Sequence, residues 1–203
     1  RAAIEAGLRG QGAVLLGGDA QMEFANRFAD TGEREWMTGI ADRVSEIVDF
    51  RSMVRVGDEP ALAQVKGVDG LYPLVGAVEL EPAVPLAQAL AGDGAVPGSV
   101  MDRVLVDRLG LAVGERFSLG EEEFTLGAVL LREPDSATGG FTLGPRVIVL
   151  TTALANSGLI GPGTMYEAGY RLDLPPGADL AGLEAQADAS YQDKGMRWAD
   201  TRP

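Results

Sequence analysis

The sequence predicts an α+β fold: a split α/β sandwich assembled from the two ends of the chain, with a β-rich module inserted between them. Three observations carry this. Amphipathic helical and alternating strand patterns occupy residues up to about 75, and a strand–helix–strand pattern returns after about 160. The intervening stretch reads mostly as short strands and turns. Both joins are marked by turn formers, Tyr72-Pro73 at one and Gly161-Pro162-Gly163 at the other. The expected units are therefore residues 1–75 with 160–203, and 76–159.

Taken in order, Ile4 and Leu8 stand at helical spacing in the opening segment, and Ala13–Leu16 reads as a short apolar strand ending at Gly17-Gly18-Asp19. Thr31–Ala41 reads as a helix with Thr31 as its N-cap and Trp36 and Ile40 as apolar anchors. Val44–Val56 and Ala61–Val68 are strands joined by a turn at Gly57-Asp58-Glu59-Pro60. Pro82 and Pro85 interrupt the next segment, leaving a helical turn over Leu86–Leu90.

Val96–Leu131 is the most patterned part of the module. Met101, Leu105 and Leu109 recur at i, i+4, i+8 and predict a short helix that Gly110 stops. Arg116–Leu119 and Glu123–Leu131 alternate as a hairpin about Gly120-Glu121-Glu122. Arg132–Gly144 is polar and rich in glycine, long for a connection without structure, and is the candidate contact loop, with Arg132, Phe141 and Arg146 as its contact residues. Arg146–Leu150 is a buried-type strand, Thr152–Ser157 a short helix, and Tyr166–Leu174 a strand broken by Pro175-Pro176-Gly177. Asp179 caps a helix running to about Lys194, and Met196–Thr201 closes the chain as a strand.

Composition narrows the function. The net charge of −13 opposes nucleic acid and anionic lipid, both of which are bound through Lys and Arg. The absence of Cys removes disulfides and thiolate chemistry, and the absence of His removes Ser-His-Asp mechanisms and the commonest zinc ligand. No apolar run approaches the roughly 20 residues that span a bilayer, and the opening Arg1-Ala2-Ala3-Ile4 has no signal-peptide pattern, so the chain reads as a segment of something longer.

Candidate chemistry is sparse. Gly17-Gly18-Asp19 has neither phosphate-loop spacing, and its aspartate repels an anion, so it reads as a turn. Glu121-Glu122-Glu123 lacks the spaced oxygens of a calcium loop. Ser45, Ser52, Ser99 and Ser118 have no nucleophile-elbow context, and Lys66 and Lys194, the two lysines, have no partner motif. No catalytic, cofactor-binding or metal-binding residue is assigned.

One further pattern runs through nearly the whole chain. GGD at 17–19, RSMVRV at 51–56, VKGVDGLYPLVG at 65–76, DRLGLAVGERFSLG at 107–120, REPDSATGGFTLGPRV at 132–147 and SGLIGPGTMYEAGYRLDL at 157–174 occur in the order found in YbbP-like permeases of bacterial ABC transporters, within the MacB/FtsX-like superfamily. The chain resembles the extracytoplasmic (periplasmic) domain of such a permease. The resemblance implies a porter-like α/β subdomain split by an inserted, β-rich, sabre-like subdomain, on the periplasmic side of the inner membrane. It implies partners: a cytoplasmic ABC ATPase, the second extracytoplasmic domain of the same permease, and a periplasmic lysophospholipase or thioesterase. It implies mechanotransmission, in which ATP hydrolysis drives extraction or export of a lipid or other hydrophobic molecule. It brings no catalytic motif and no cofactor. Two readings from other classes stand beside it: a stand-alone hydrolase using paired carboxylates, and a scaffold that holds a partner lysophospholipase or esterase.

Overall fold

A computed structural model describes residues 10–135 and 144–203. Its helices are 10–16 (α1), Thr31–Ile40 (α2), Leu86–Ala91 (α3), Arg103–Leu109 (α4) and Leu180–Tyr191 (α5). Its strands are Ala20–Ala25 (β1), Arg43–Val56 (β2), Glu59–Val68 (β3), Glu79–Glu81 (β4), Gly98–Asp102 (β5), Arg116–Leu119 (β6), Glu122–Arg132 (β7), Arg146–Leu150 (β8), Glu167–Asp173 (β9) and Arg197–Asp200 (β10).

The strands form one sheet in the order β10-β1-β9-β2-β3-β8-β5-β7-β4, with β6 bridging β2 and β7. The fold is α+β, as the sequence predicts. β9, from the far end of the chain, lies between β1 and β2. The α2 and α5 side of these strands is apolar: Met22, Phe24, Ala168, Tyr170, Leu172, Met37, Leu180 and Ala187 share one core, with Trp36, Tyr191 and Trp198 packed at its margin.

The bridging β6 has a topological consequence. β2–β3, β3–β8, β8–β5, β5–β7, β7–β6 and β6–β2 all pair, so these strands close into a small barrel. Its interior is filled by side chains, as in other small barrels: Phe50, Val54, Val65, Met101, Leu119, Phe124, Leu126 and Val149, with Leu105 and Leu109 of α4 among them. A third core, under α3, joins Ile47, Val68, Val100, Leu130 and Ile148. The long β2–β3 hairpin runs through both halves, its base beside β9 and its tip in the barrel wall.

Several expectations are corrected. Residues 10–16 are helical, where a strand was expected at Ala13–Leu16; a short apolar run fits either period, and its glycine flank does not decide between them. The first strand is Ala20–Ala25, where Ala20, Met22 and Phe24 alternate inward. Asp30, not Thr31, caps α2: its carboxylate accepts from the Glu33 amide at 2.8 Å, and Glu33 accepts from the Asp30 amide at 2.9 Å, a reciprocal capping box. Met101 lies in β5, and the helix begins only at Arg103. A 3-10 turn, Thr151–Leu154, replaces the helix expected at Thr152–Ser157. Gly110 does end α4 in the left-handed conformation, at φ 64°.

Gly39, inside α2, has ordinary helical φ and open space where a Cβ would stand. Gly39→Ala should therefore raise stability by about 0.5–1 kcal/mol, because alanine loses less backbone freedom on folding. Urea denaturation checks this, and a lower midpoint would contradict it.

Candidate functional site

Strand alternation sends the residues between the α2/α5 core positions to the opposite face of the sheet. Register then lines them up across strands: Arg171 stands opposite Gln21 and Ser45, Gly169 opposite Glu23 and Ile47, and Asp49 opposite Glu167 and Lys66. This face is polar where the other is apolar.

It is also buried. Lys66 is 1% exposed, and its ammonium donates to Glu133 at 2.6 Å, Asp135 at 2.8 Å and the Tyr72 hydroxyl at 3.3 Å. Tyr72 in turn donates to Asp135 at 2.8 Å. Arg171 donates to Asp135 at 2.5 Å and to Gln21 at 3.1 Å. Arg146 donates to Glu133 and to Asp49, each at 3.1 Å, while its own amide donates to Asp102 at 2.7 Å. Lys66, Arg146 and Arg171 thus face Asp49, Glu133 and Asp135, three cations against three carboxylates. Each charge has an opposite partner, which a buried ion requires.

Local structure positions these groups. Asp69, just past β3, accepts from the Ser45 hydroxyl and from the amides of Glu46 and Leu71, and this pins the turn that carries Tyr72. Glu133 and Asp135 follow directly on β7. Between them Pro134 is pressed against Gly76, where a Cβ would stand 2.7 Å from the proline ring. Gly17, at the end of α1, has φ +85°, and a Cβ there would lie 2.4 Å from the Arg171 guanidinium. The glycine lets the backbone close over the arginine.

Electrostatics follow the geometry. Burial pushes the Asp135 carboxyl up, but Lys66 and Arg171 outweigh it and hold the group well below the usual aspartate range. Burial, and then Asp135 and Glu133, drive the Tyr72 phenol far above its usual range, so it remains a donor. Burial lowers Arg146, but Glu133 and Asp49 more than reverse that. On the apolar side, burial and a hydrogen bond to Glu46 raise the Tyr170 phenol; that hydroxyl also accepts from the Ala29 amide at 3.0 Å, tying the start of α2 to β9.

The arrangement grips. It joins β9, β3, β8 and the segment after β7 through charge-assisted bonds, and the bonds of Lys66 to Glu133, Asp135 and Tyr72 match the three donors of an ammonium. Of the expected contact residues, Arg132 is exposed at the end of β7, Arg146 is turned into the charged face at 8% exposure, and Phe141 lies outside the described residues. Lys66, Asp135 and Arg171 were not singled out by the sequence. In VKGV, lysine occupies a position that alternation leaves to solvent, and its burial depends on a segment some 67 residues on. Among the described residues no group of three or more acidic side chains is arranged to hold a metal ion.

No family model matches the chain. A search of curated proteins finds the ABC transporter permease YbbP of Escherichia coli K12, 26% identical over 172 residues, which is 83% of this chain and 20% of that protein. The chain thus spans about a fifth of the length of that relative. In sequence, this chain resembles a YbbP-like permease. Among solved structures, the periplasmic region of MacB from Actinobacillus actinomycetemcomitans superposes with a TM-score of 0.58 at 12% identity, covering 93% of this chain and 92% of that one. The extracellular domain of the noncanonic ABC-type transporter YknZ from Gram-positive bacteria gives 0.57 at 12% identity, covering 89% and 100%. The fold is that of the extracytoplasmic domains of MacB-like permeases. This chain has that fold with a six-charge network, centred on buried Lys66, Asp135, Arg146 and Arg171, on the face away from α2 and α5.

Proposed function

We propose that the chain is a non-catalytic extracytoplasmic domain of an ABC transporter permease, on the periplasmic side of the inner membrane. The observation that carries this reading is the YbbP match across 83% of the chain. The fold shared with MacB and YknZ domains agrees with it. Among the described residues no helix is long and apolar enough to cross a membrane, so in this reading any spans lie elsewhere in the parent protein. In the same reading a cytoplasmic ATPase drives the parent permease, residues 1–75 with 160–203 and 76–159 act as two mechanical units, and the charged network couples them. The cargo is a lipid or another hydrophobic molecule. The segment from Arg132 through Phe141 meets the second extracytoplasmic domain of the permease, the cargo or a periplasmic lysophospholipase or thioesterase.

The charged face supports a mechanical role over a hydrolytic one. The carboxylates of Asp49, Glu133 and Asp135 are matched to cations, whereas paired-carboxylate hydrolysis needs one acid and one base free to meet a substrate.

The test uses the parent permease, purified with its ATPase from detergent-solubilised membranes. Co-purification, lipid-stimulated ATP hydrolysis and export are expected. Phe141→Ala combined with deletion of residues 136–140 should then reduce export selectively, with the domain still folded. Failure to associate with an ATPase would overturn the permease reading. Unchanged export in the loop variant would overturn the contact reading alone.

A further inference from the structure

The polar face ends, toward β10, in a second cluster that shares Asp49 and Arg171 with the charged network. Glu23 on β1 and Glu167 on β9 both accept from one guanidinium nitrogen of Arg197 on β10, the Glu167 bond being 3.0 Å. Asp49 on β2 is the register partner of Glu167. Gly169 sits between them with no side chain, and Glu23, Glu167, Asp49, Gln21 and Arg171 line a polar cavity of about 20 Å³ beside it.

The charges here do not balance. One guanidinium serves two carboxylates drawn onto the same nitrogen. The next cation, Arg171, bonds Asp135, and Arg146, which reaches Asp49, also bonds Glu133. Two carboxylates held this close resist ionising together. Among the described residues, Glu23 is faced by Gln21 on its own strand, Arg197 on β10, Glu167 and Arg171 on β9, and Asp49 on β2.

We propose that Glu23, held with Glu167 on Arg197, takes up one proton as the surroundings acidify from neutral, and that this proton tightens the β10–β1–β9 edge of the sheet. The clasp is formed by residues within this chain and does not rest on the transport reading. Burial, the hydrogen bond to Glu167 and the charges of Glu167 and Asp49 together push the Glu23 carboxyl up from its usual 4.5 to about 7, against the pull of Arg197. The folded state then holds a proton that the unfolded chain releases. Its stabilising contribution is complete below about 4.5 and is lost as pH rises through about 7. Gln21 donates to Glu23 at 2.9 Å and accepts from Arg171 at 3.1 Å, which links the clasp to the Asp135 anchor.

The test is urea unfolding of the 203-residue chain and of its Glu23→Gln variant between about pH 5 and about pH 7.5. For the native sequence the unfolding equilibrium constant should rise on the order of tenfold across that window, an amount discounted for partial solvent exposure. Glu23→Gln, which imitates the protonated group, should remove most of that slope. A slope unchanged in the variant overturns the proposal. If the variant does not fold, the carbon-13 carboxyl titration of Glu23 in the native chain decides. A midpoint near 7 supports the clasp, and one near 4.5 overturns it.

Discussion

Asp135→Ala is expected to lower the unfolding free energy by about 3–5 kcal/mol, the range for breaking a buried ion pair from one side. Asp135 is 1% exposed and is a counter-charge to two cations nearly as deeply buried, Lys66 and Arg171. The alanine leaves Glu133 as the remaining carboxylate on Lys66 and removes the carboxylate that Arg171 bonds at 2.5 Å. Trp36 and Trp198, packed against each other at the α2–β10 margin, report unfolding by fluorescence. The urea midpoint should fall with the slope preserved. Lys66→Met should cost less, because Arg171 still neutralises Asp135 and Arg146 still neutralises Glu133. Acid supplies a second signature. The Asp135 pKa is lowered on folding, so its contribution is present above the usual 3.8 and is lost as pH falls through the lower folded value. The gap between native chain and variant should therefore hold from neutral pH to about 4 and close only below that. A loss under about 1 kcal/mol at neutral pH, the value of an ordinary surface pair, would show that the network does not hold the fold.

Gly98→Ala is expected to cost about 3 kcal/mol, the upper end of the overpacking range, because the obstruction is backbone and cannot rotate aside. A Cβ on Gly98 would stand 2.0 Å from the Ala89 carbonyl oxygen and 2.9 Å from the Gly92 amide nitrogen. Gly127, on the neighbouring strand, meets the same oxygen at 2.3 Å. The two glycines on β5 and β7 form the seat on which α3 lies, over Leu130, Val100 and Ile148. The alanine must lift α3 and open that core. For a domain of this size the loss corresponds to a fall in Tm of roughly 6–12 °C. Differential scanning calorimetry measures it, and a change within about 2 °C would mean that α3 adapts at little cost.

Strands with one period and one buried side were legible in the sequence. Arg116–Leu119 and Arg146–Leu150 match their expected ends, and β2, β3, β7 and β9 begin or end within a residue or two of theirs. Helix ends marked by glycine or by a capping aspartate were legible too, as Gly110 and Asp179 show; Asp179 accepts from the Gly182 amide at 3.1 Å. Those signals are local: side-chain period, φ above zero, and a short side chain returning to its own backbone. The helix over 10–16 is not legible, because seven residues with Ala, Val and Leu carry no decisive period, and Thr201 and Gly76 complete its setting.

By itself the sequence determined the α+β class, the return of the last strand and helix to the first, the absence of Cys and His chemistry, and a motif order that resembles that of YbbP-like permeases. Tertiary structure alone decided that six strands close into a barrel, since a closing pair such as Val54 with Leu119 joins positions 65 residues apart and leaves no local trace. It alone decided that Lys66 is buried. Alternation assigns a residue to a face of the sheet, but whether that face meets water depends on what the rest of the chain lays over it. Here the cover includes Glu133, Asp135 and Tyr72, which supply the charges and hydrogen bonds without which a lysine on that face would remain in solvent.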